Sequence, residues 1–359
     1  MHDSTDRGIL SNGLVTAAAF IIVVAGLRAA TPVVVPFLFA LFIAIIAAPS
    51  LFWLRGRGLP EWLALIIVII GLGSLGLLLM VMIGTSFSDF TRALPQYQEQ
   101  LQVLFDRVVA SLARIGVDVS ASQVADMFDP GAVMRFANSM LSGFGGLLSN
   151  MVLIGIAAIL MLLEASGMAA KMRAALDDPE HTLAGVNEFV ASVKSYIVIK
   201  TVISFVTGLA VAVYLLIVGL EFPVLWGLLA FILNYVPNIG WIIAAVPAIL
   251  LALVALGPVQ AVIVFAGYLV INFILGNVVE PRVMGRGVGL STLVVFASLV
   301  LWGWVLGPVG MILSVPLTMM VKIALQSSEE TRWIALLLGT GAGVVSQVDE
   351  ADDQQPTNT

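Results

Sequence analysis

The chain has 359 residues, of which 60% are hydrophobic and 11% charged, and its formal net charge is −6. A soluble domain carries about 25% charged residues, so this composition excludes a soluble globular protein and predicts an all-α, polytopic helical membrane protein. The sequence contains no cysteine, which excludes disulfides, thiolate catalysis and cysteine-ligated metals. We expect no metal and no cofactor, and the absence of a basic patch indicates no nucleic-acid partner.

The N-terminal part, residues 1–87, is predicted to cross the bilayer three times. The three apolar runs cover about 9–30, 32–54 and 62–87. Each has roughly the 20 residues that a helix needs to span the hydrocarbon core. Arg55 and Arg57 form a basic loop between the second and third spans, which places that loop and the N-terminus in the cytoplasm.

Residues 88–142 form a predicted amphipathic helical module outside the membrane. Charges of both signs return over 88–135, and apolar residues recur there at spacings of three and four, as on one face of a helix. Asp129 followed by Pro130 is typical of a helix start. Because three predicted spans separate the module from a cytoplasmic N-terminus, we expect it on the side of the membrane opposite the cytoplasm.

Residues 143–195 are predicted to contain a fourth span, about 143–163, and a cytoplasmic amphipathic segment. The basic residues of this segment favour the cytoplasmic assignment. Glu164 and Lys200 flank the cytoplasmic ends of the fourth and fifth spans. They are candidates for a gate ion pair. The alternative is that the two side chains are not paired and that each extends to the polar membrane interface by itself.

Residues 196–325 are predicted to form the transport core, and 326–359 a disordered polar tail. Between Thr201 and Val279 the sequence has one charged side chain, Glu221. The apolar runs of the core cover about 196–218, 222–236, 239–256, 259–279 and 290–321. Broken or re-entrant helices are expected around 222–256 and 290–321, so the total is about eight spans, with six and ten as limits.

A polar break at 234–240 interrupts the core. Pro237 lacks a backbone donor and frees carbonyl groups in the preceding turn, and Gly240 permits a tight return. We predict that the break lies on the path of a polar solute; its candidate residues are Asn234, Tyr235, Pro237, Asn238 and Gly240. The alternative is a proline kink whose asparagines only cap helix ends.

A second polar cluster follows the span at 259–279. Asn272 and Asn277 are further candidates for the solute path, and Asn277 shares a helix face with Glu280. A carboxylate below the lipid headgroups is a candidate proton or cation carrier. Arg282 or Arg286 would instead hold Glu280 ionised, as a coupling or gate pair. The alternative is an interfacial turn with solvated charges.

Several motifs of the core resemble those of the autoinducer-2 exporter (AI-2E) transporter family. They are Asn234-Tyr-Val-Pro-Asn-Ile-Gly240, Gly276-Asn-Val-Val-Glu-Pro-Arg-Val-Met-Gly285, Gly289-Leu-Ser-Thr292 and Gly307-Pro-Val-Gly-Met-Ile-Leu-Ser-Val-Pro316. The motif Gly289-Leu-Ser-Thr292 resembles the one found in the branch of the family that contains the exporter of the quorum-sensing signal. The resemblance is strong over 195–325 and extends over the whole chain.

The resemblance implies a multi-pass protein of the bacterial inner membrane that exports autoinducer-2, a small polar solute, and forms homo-oligomers, as pentamers. We expect both termini to lie in the cytoplasm. We also expect a secondary transporter that is coupled to protons through Glu280. Some similar proteins are described as sodium or lithium/proton antiporters, which is the alternative function. No enzyme is expected, because the sequence has no motif of a catalytic site.

Overall fold

The computed structural model describes residues 18–19, 21–114, 150–175, 179–284, 289–326 and 331–339. Within these ranges the regular elements are helices and no strand occurs. After a helical stretch at 21–29, the helices are α1 Thr31–Gly56, α2 Glu61–Arg114, α3 Met151–Ala175, α4 Pro179–Val218, α5 Pro223–Leu233, α6 Gly240–Ala255, α7 Pro258–Asn272, a π-helix Phe273–Val279, α8 Glu280–Met284, α9 Thr292–Leu306, α10 Pro308–Gln326 and α11 Arg332–Leu337.

Five helices in the described part of the chain are long and apolar enough to cross a membrane. Their spans are Thr31–Gly56, Glu61–Ala93, Gly185–Val218, Pro258–Met284 and Pro308–Gln326. Shorter apolar helices cover Met151–Ala165, Pro223–Leu233, Gly240–Ala255 and Thr292–Leu306. The prediction of a polytopic helical membrane protein is therefore confirmed. Most of the predicted first span, 9–30, lies outside the described residues.

The helix α2 continues past its candidate membrane span without a break, over 54 residues in all. Its membrane candidate ends at Ala93, and the same helix runs through Pro95 to Arg114. The sequence predicted a separate module from residue 88. The change there is in polarity and not in backbone structure, because a helix keeps its own hydrogen bonds whether its side chains meet lipid or water. The rest of that module, 115–149, lies outside the described residues.

Residue contacts divide the chain into two units. The first comprises Met1–Ile45, Asn150–Val190 and Gly289–Thr359. In this unit α9 and α10 pack together on either side of Gly307, as the predicted break in 290–321 requires. A Cβ at Gly310 would lie 1.9 Å from the backbone oxygen of Trp302, so glycine is needed for the close approach of these helices.

The second unit comprises Ile46–Ser149 and Ala191–Val288 and contains an extended apolar core. Its core side chains come from α2, α4, α5, α6 and α7 and from the turn between α4 and α5. Gly208 of α4 and Gly227 of α5 bring two backbones into direct contact, since a Cβ on either would lie 2.6 Å from the carbonyl oxygen of the other. Such small-residue contacts are the usual means of close helix packing in membranes.

The extension of α2 contacts the turn between α4 and α5. The Tyr97 hydroxyl donates a hydrogen bond of 2.6 Å to Oε2 of Glu221, and the Trp226 indole donates to the Glu221 backbone oxygen at 3.0 Å. The Phe90 ring packs edge-on against Phe222 and Trp226. Burial raises the pKa of Tyr97, and the hydrogen bond to Glu221 and its negative charge raise it further, so the phenol remains a donor.

Replacing Tyr97 by phenylalanine is expected to lower the free energy of unfolding by about 1 kcal/mol, because it removes one hydrogen bond while it preserves the ring. Thermal unfolding in detergent would measure the loss. A double-mutant cycle with Glu221→Ala is the control: the double variant should be little worse than Glu221→Ala alone. Fully additive losses would show that the two side chains do not interact.

Candidate functional site

A buried ion pair links α4 to the start of α8. The Lys200 ammonium donates to Oε1 of Glu280 at 2.7 Å, and the two side chains are 7% and 17% exposed. Both residues lie within candidate membrane spans. An unpaired charge at such a position is costly, and pairing leaves the two groups neutral as a unit.

The π-helix determines where Glu280 lies. The Glu280 amide bonds to the Leu275 oxygen five residues earlier, which is the π-helical pattern. Pro281 follows directly; it has no amide hydrogen, and in a regular α-helix its ring would clash with the Asn277 oxygen. Widened turns of this kind are frequent at functional sites. The local sequence thus places the carboxylate at the end of an irregular turn within the span.

Two side chains of the 234–240 break bind the same face of α4. The Asn234 amide nitrogen donates to the Ser204 hydroxyl at 2.9 Å, and both residues are buried. The Tyr235 hydroxyl donates to the Thr201 hydroxyl at 2.7 Å. Ser204 lies four residues after Lys200, one helical turn away. The break and the ion pair therefore contact consecutive turns of α4.

The remaining residues of the break shape the backbone. Asn238 is exposed and has a φ of 62°, a left-handed conformation that asparagine tolerates better than most residues. A Cβ at Gly240 would lie 1.8 Å from the Leu233 oxygen. Between them, the Ile239 amide bonds to the Pro237 oxygen at 2.7 Å. The structure shows a conformational role of Asn238 in the turn, and its place on the solute path stays a prediction.

The ion pairs in the structure differ from those that the sequence predicted. Arg282 is exposed, and Arg286 lies outside the described residues. The partner of Glu280 is Lys200, and Glu164 forms its ion pair with Lys171, where both side chains are more than half exposed.

The two other asparagines of the predicted solute path lie on the α7 side of the site. Asn277 is exposed within the π-helix, and Asn272 is half-buried at the end of α7. The Asn272 side-chain oxygen lies 3.4 Å from the position that a Cβ on Gly276 would occupy, so this amide folds over the glycine.

Sequence reasoning missed three residues that the structure brings to the site. Thr201 and Ser204 receive the hydrogen bonds from the break. Tyr196, four residues before Lys200 on α4, is also buried. The available signal was the spacing of Tyr196, Lys200 and Ser204 at successive helical turns within an apolar run, which marks one polar face.

The chemistry of this site is that of a neutral, hydrogen-bonding surface. Its charges cancel in the Lys200–Glu280 pair, and its other groups are hydroxyls and amides. Among the described residues, no group of three or more histidine, cysteine or acidic side chains is placed to hold a metal ion. The arrangement suits the binding of a small polar molecule at membrane depth.

Comparison with known proteins confirms the resemblance of the core motifs. Residues 17–330 match the family described as AI-2E family transporter. The chain is 41% identical over 333 residues to the AI-2 transport protein TqsA of Escherichia coli K12, with 92% of this chain and 97% of the relative covered. It is 39% identical over 336 residues to a protein of Haemophilus influenzae that is provisionally named a transport protein, with no substrate in its name. That alignment covers 92% of this chain and 97% of the relative. The chain belongs to the AI-2E family of transporters.

Proposed function

We propose that the protein is a secondary transporter that exports autoinducer-2 across the bacterial inner membrane. The relative TqsA is named as an AI-2 transport protein, and it aligns over nearly the whole of both chains. The termini are proposed to lie in the cytoplasm, as the basic loops predict. Assembly as a homo-oligomer, a pentamer by resemblance, stays a prediction.

The observation that carries the proposal is the polar face of α4. Lys200, Thr201 and Ser204 each contact a polar group of another membrane element. Polar side chains at membrane depth are costly and are retained chiefly where they bind or conduct something. Because the two charges cancel, the face attracts neither cations nor anions strongly, which favours a neutral polar solute.

A sodium or lithium/proton antiporter has less support from this geometry. A cation carrier needs a carboxylate that is free to bind the ion. Glu280 is held by Lys200, and Glu221 accepts the Tyr97 hydrogen bond outside the apolar helices. We therefore retain cation exchange as an outcome of the transport experiment and not as a second proposal.

Proton coupling would use the same ion pair. While Lys200 and Glu280 are in contact, each charge neutralises the other. If a conformational change separates them inside the membrane, the carboxylate is left without a counter-charge, and proton binding would neutralise it. Uptake of a proton would then accompany separation of the pair, and release would accompany its return.

Efflux of labelled autoinducer-2 from proteoliposomes tests the proposal directly. We expect efflux faster than from empty liposomes and faster still with an imposed proton gradient. Asn234→Ala should slow efflux about tenfold, equivalent to about 1.4 kcal/mol, because it leaves the buried Ser204 hydroxyl without its donor. Asn187→Ala is the control. Asn187 is exposed on α4, the helix that carries Ser204, and this variant should transport as the unchanged protein does.

The other outcomes are also informative. Efflux no faster than from empty liposomes would refute autoinducer-2 export, and sodium and proton fluxes would be measured next. Efflux that ignores the gradient would refute the coupling. Asn238→Gly distinguishes the backbone conformation of the turn from a solute contact of the side chain. Glycine preserves the positive φ and removes the side-chain amide.

A further inference from the structure

The hydroxyl of Tyr268 is buried without a hydrogen-bond partner among the residues that the structure describes. Tyr268 lies on α7 in the core of the second unit and is 2% exposed. Three other tyrosines of this unit donate their hydroxyls: Tyr97 to Glu221, Tyr214 to the Ile263 backbone oxygen and Tyr235 to Thr201. Among the described residues, the Tyr268 oxygen is the buried side-chain polar atom that lacks a partner, and it requires a physical reason.

The oxygen of Tyr268 works against the stability of the fold. A buried hydroxyl that loses water and gains no partner costs free energy, whereas a phenylalanine ring would fill almost the same volume without that cost. The cluster that contains Tyr268 is largely apolar, and its members include Ala244, Ala245 and Ala248 of α6.

The position of Tyr268 connects it to the functional site. Tyr268 and Asn272 are four residues apart on α7 and so share a face. Asn272 in turn folds over Gly276 in the π-helix that leads to Glu280. The apolar cluster that contains Tyr268 also includes Leu233, the residue before Asn234. The unsatisfied hydroxyl thus lies in the same core as the break, about three helical turns before the carboxylate along the chain.

We propose that the Tyr268 hydroxyl is a binding contact for the transported solute, deeper in the core than the 234–240 break. The proposal rests on the proposed function, and it specifies the solute as a neutral molecule with hydroxyl or carbonyl oxygens. A phenol donates one hydrogen bond, its oxygen also accepts, and it supplies no counter-charge, so it suits a neutral molecule that carries such oxygens. A bound solute forms the hydrogen bond that the Tyr268 hydroxyl lacks. A molecule without a matching oxygen would leave the hydroxyl unpaired and would bind more weakly.

Removal of single oxygens tests the proposal. Tyr268→Phe should leave the melting temperature unchanged or raise it, and it should raise the KM for autoinducer-2 efflux about tenfold. The stabilisation of the protein by added autoinducer-2 should weaken in parallel. Tyr214→Phe is the matched control, since it also removes one phenolic oxygen but breaks an existing hydrogen bond. It should lower the melting temperature and leave KM unchanged.

The outcomes separate this inference from the proposed function. If the unchanged protein exports autoinducer-2 and Tyr268→Phe has the same KM, the solute contact is refuted while the proposed function holds. If the unchanged protein neither exports autoinducer-2 nor is stabilised by it, the proposed function fails and this inference fails with it. A higher KM in both variants would indicate a general disturbance of the core and would also refute the specific contact.

Discussion

Replacing Lys200 by methionine, or Glu280 by glutamine, is expected to destabilise the protein by about 3–5 kcal/mol and to abolish transport. Each change leaves one charge buried at membrane depth without its partner, and the cost of that unpaired charge exceeds the attraction that the pair supplied. Thermal unfolding in detergent would measure the loss of stability, and efflux from proteoliposomes the loss of transport.

An exposed ion pair of the same chemistry provides the control. Lys171 and Glu164 are also in contact, but their side chains are 65% and 52% exposed. Lys171→Met and Glu164→Gln should therefore change stability by less than about 1 kcal/mol. The double variant Lys200→Met with Glu280→Met should recover stability, because two apolar groups need no partner, while transport stays lost. A Lys200→Met protein as stable as the unchanged one would contradict the buried pair.

Gly240→Ala is expected to cost about 3 kcal/mol or more and to lower the yield of folded protein sharply. The added methyl group would lie 1.8 Å from the Leu233 backbone oxygen, so the break between α5 and α6 would have to open. Overpacking against backbone is costly because backbone cannot rotate away as a side chain does. Yield after size-exclusion chromatography and the melting temperature would report the effect.

Gly155→Ala is the corresponding control. Gly155 lies inside α3, and a Cβ there would meet nothing within 4 Å. Alanine should be tolerated, with a gain of up to about 1 kcal/mol from its higher helix propensity. Equal behaviour of the two alanine variants would contradict the close return of the chain at Gly240.

The parts of the fold that follow from local chemistry could be predicted from sequence. Pro237 and Gly240 end and restart a helix by their own backbone properties, and Gly307 with Pro308 does the same between α9 and α10. The continuation of α2 to Arg114 was not predicted, because the change from apolar to mixed composition at residue 88 marks the membrane boundary and not a helix end.

The partner of Glu280 could not be predicted from local spacing. Lys200 is 80 residues away along the chain, while Arg282 and Arg286 are close. Residues two apart on a helix point in different directions, so Arg282 is poorly placed for the pair in spite of its proximity. Tyr268 was missed for another reason: it lies in a continuous apolar run, where composition gives no indication that its hydroxyl lacks a partner.

The contact between Gly208 and Gly227 restricts which parts of the second unit can move. Because no side chain separates the two backbones, sliding of α4 against α5 would bring backbone atoms into collision, and we expect the two helices to move together. Asn234 and Tyr235 attach the start of the break to α4. If the proposed transport requires the Lys200–Glu280 pair to separate, we expect the hinge to lie beyond Asn234 and Tyr235, near Gly240, so that the π-helix moves away from α4.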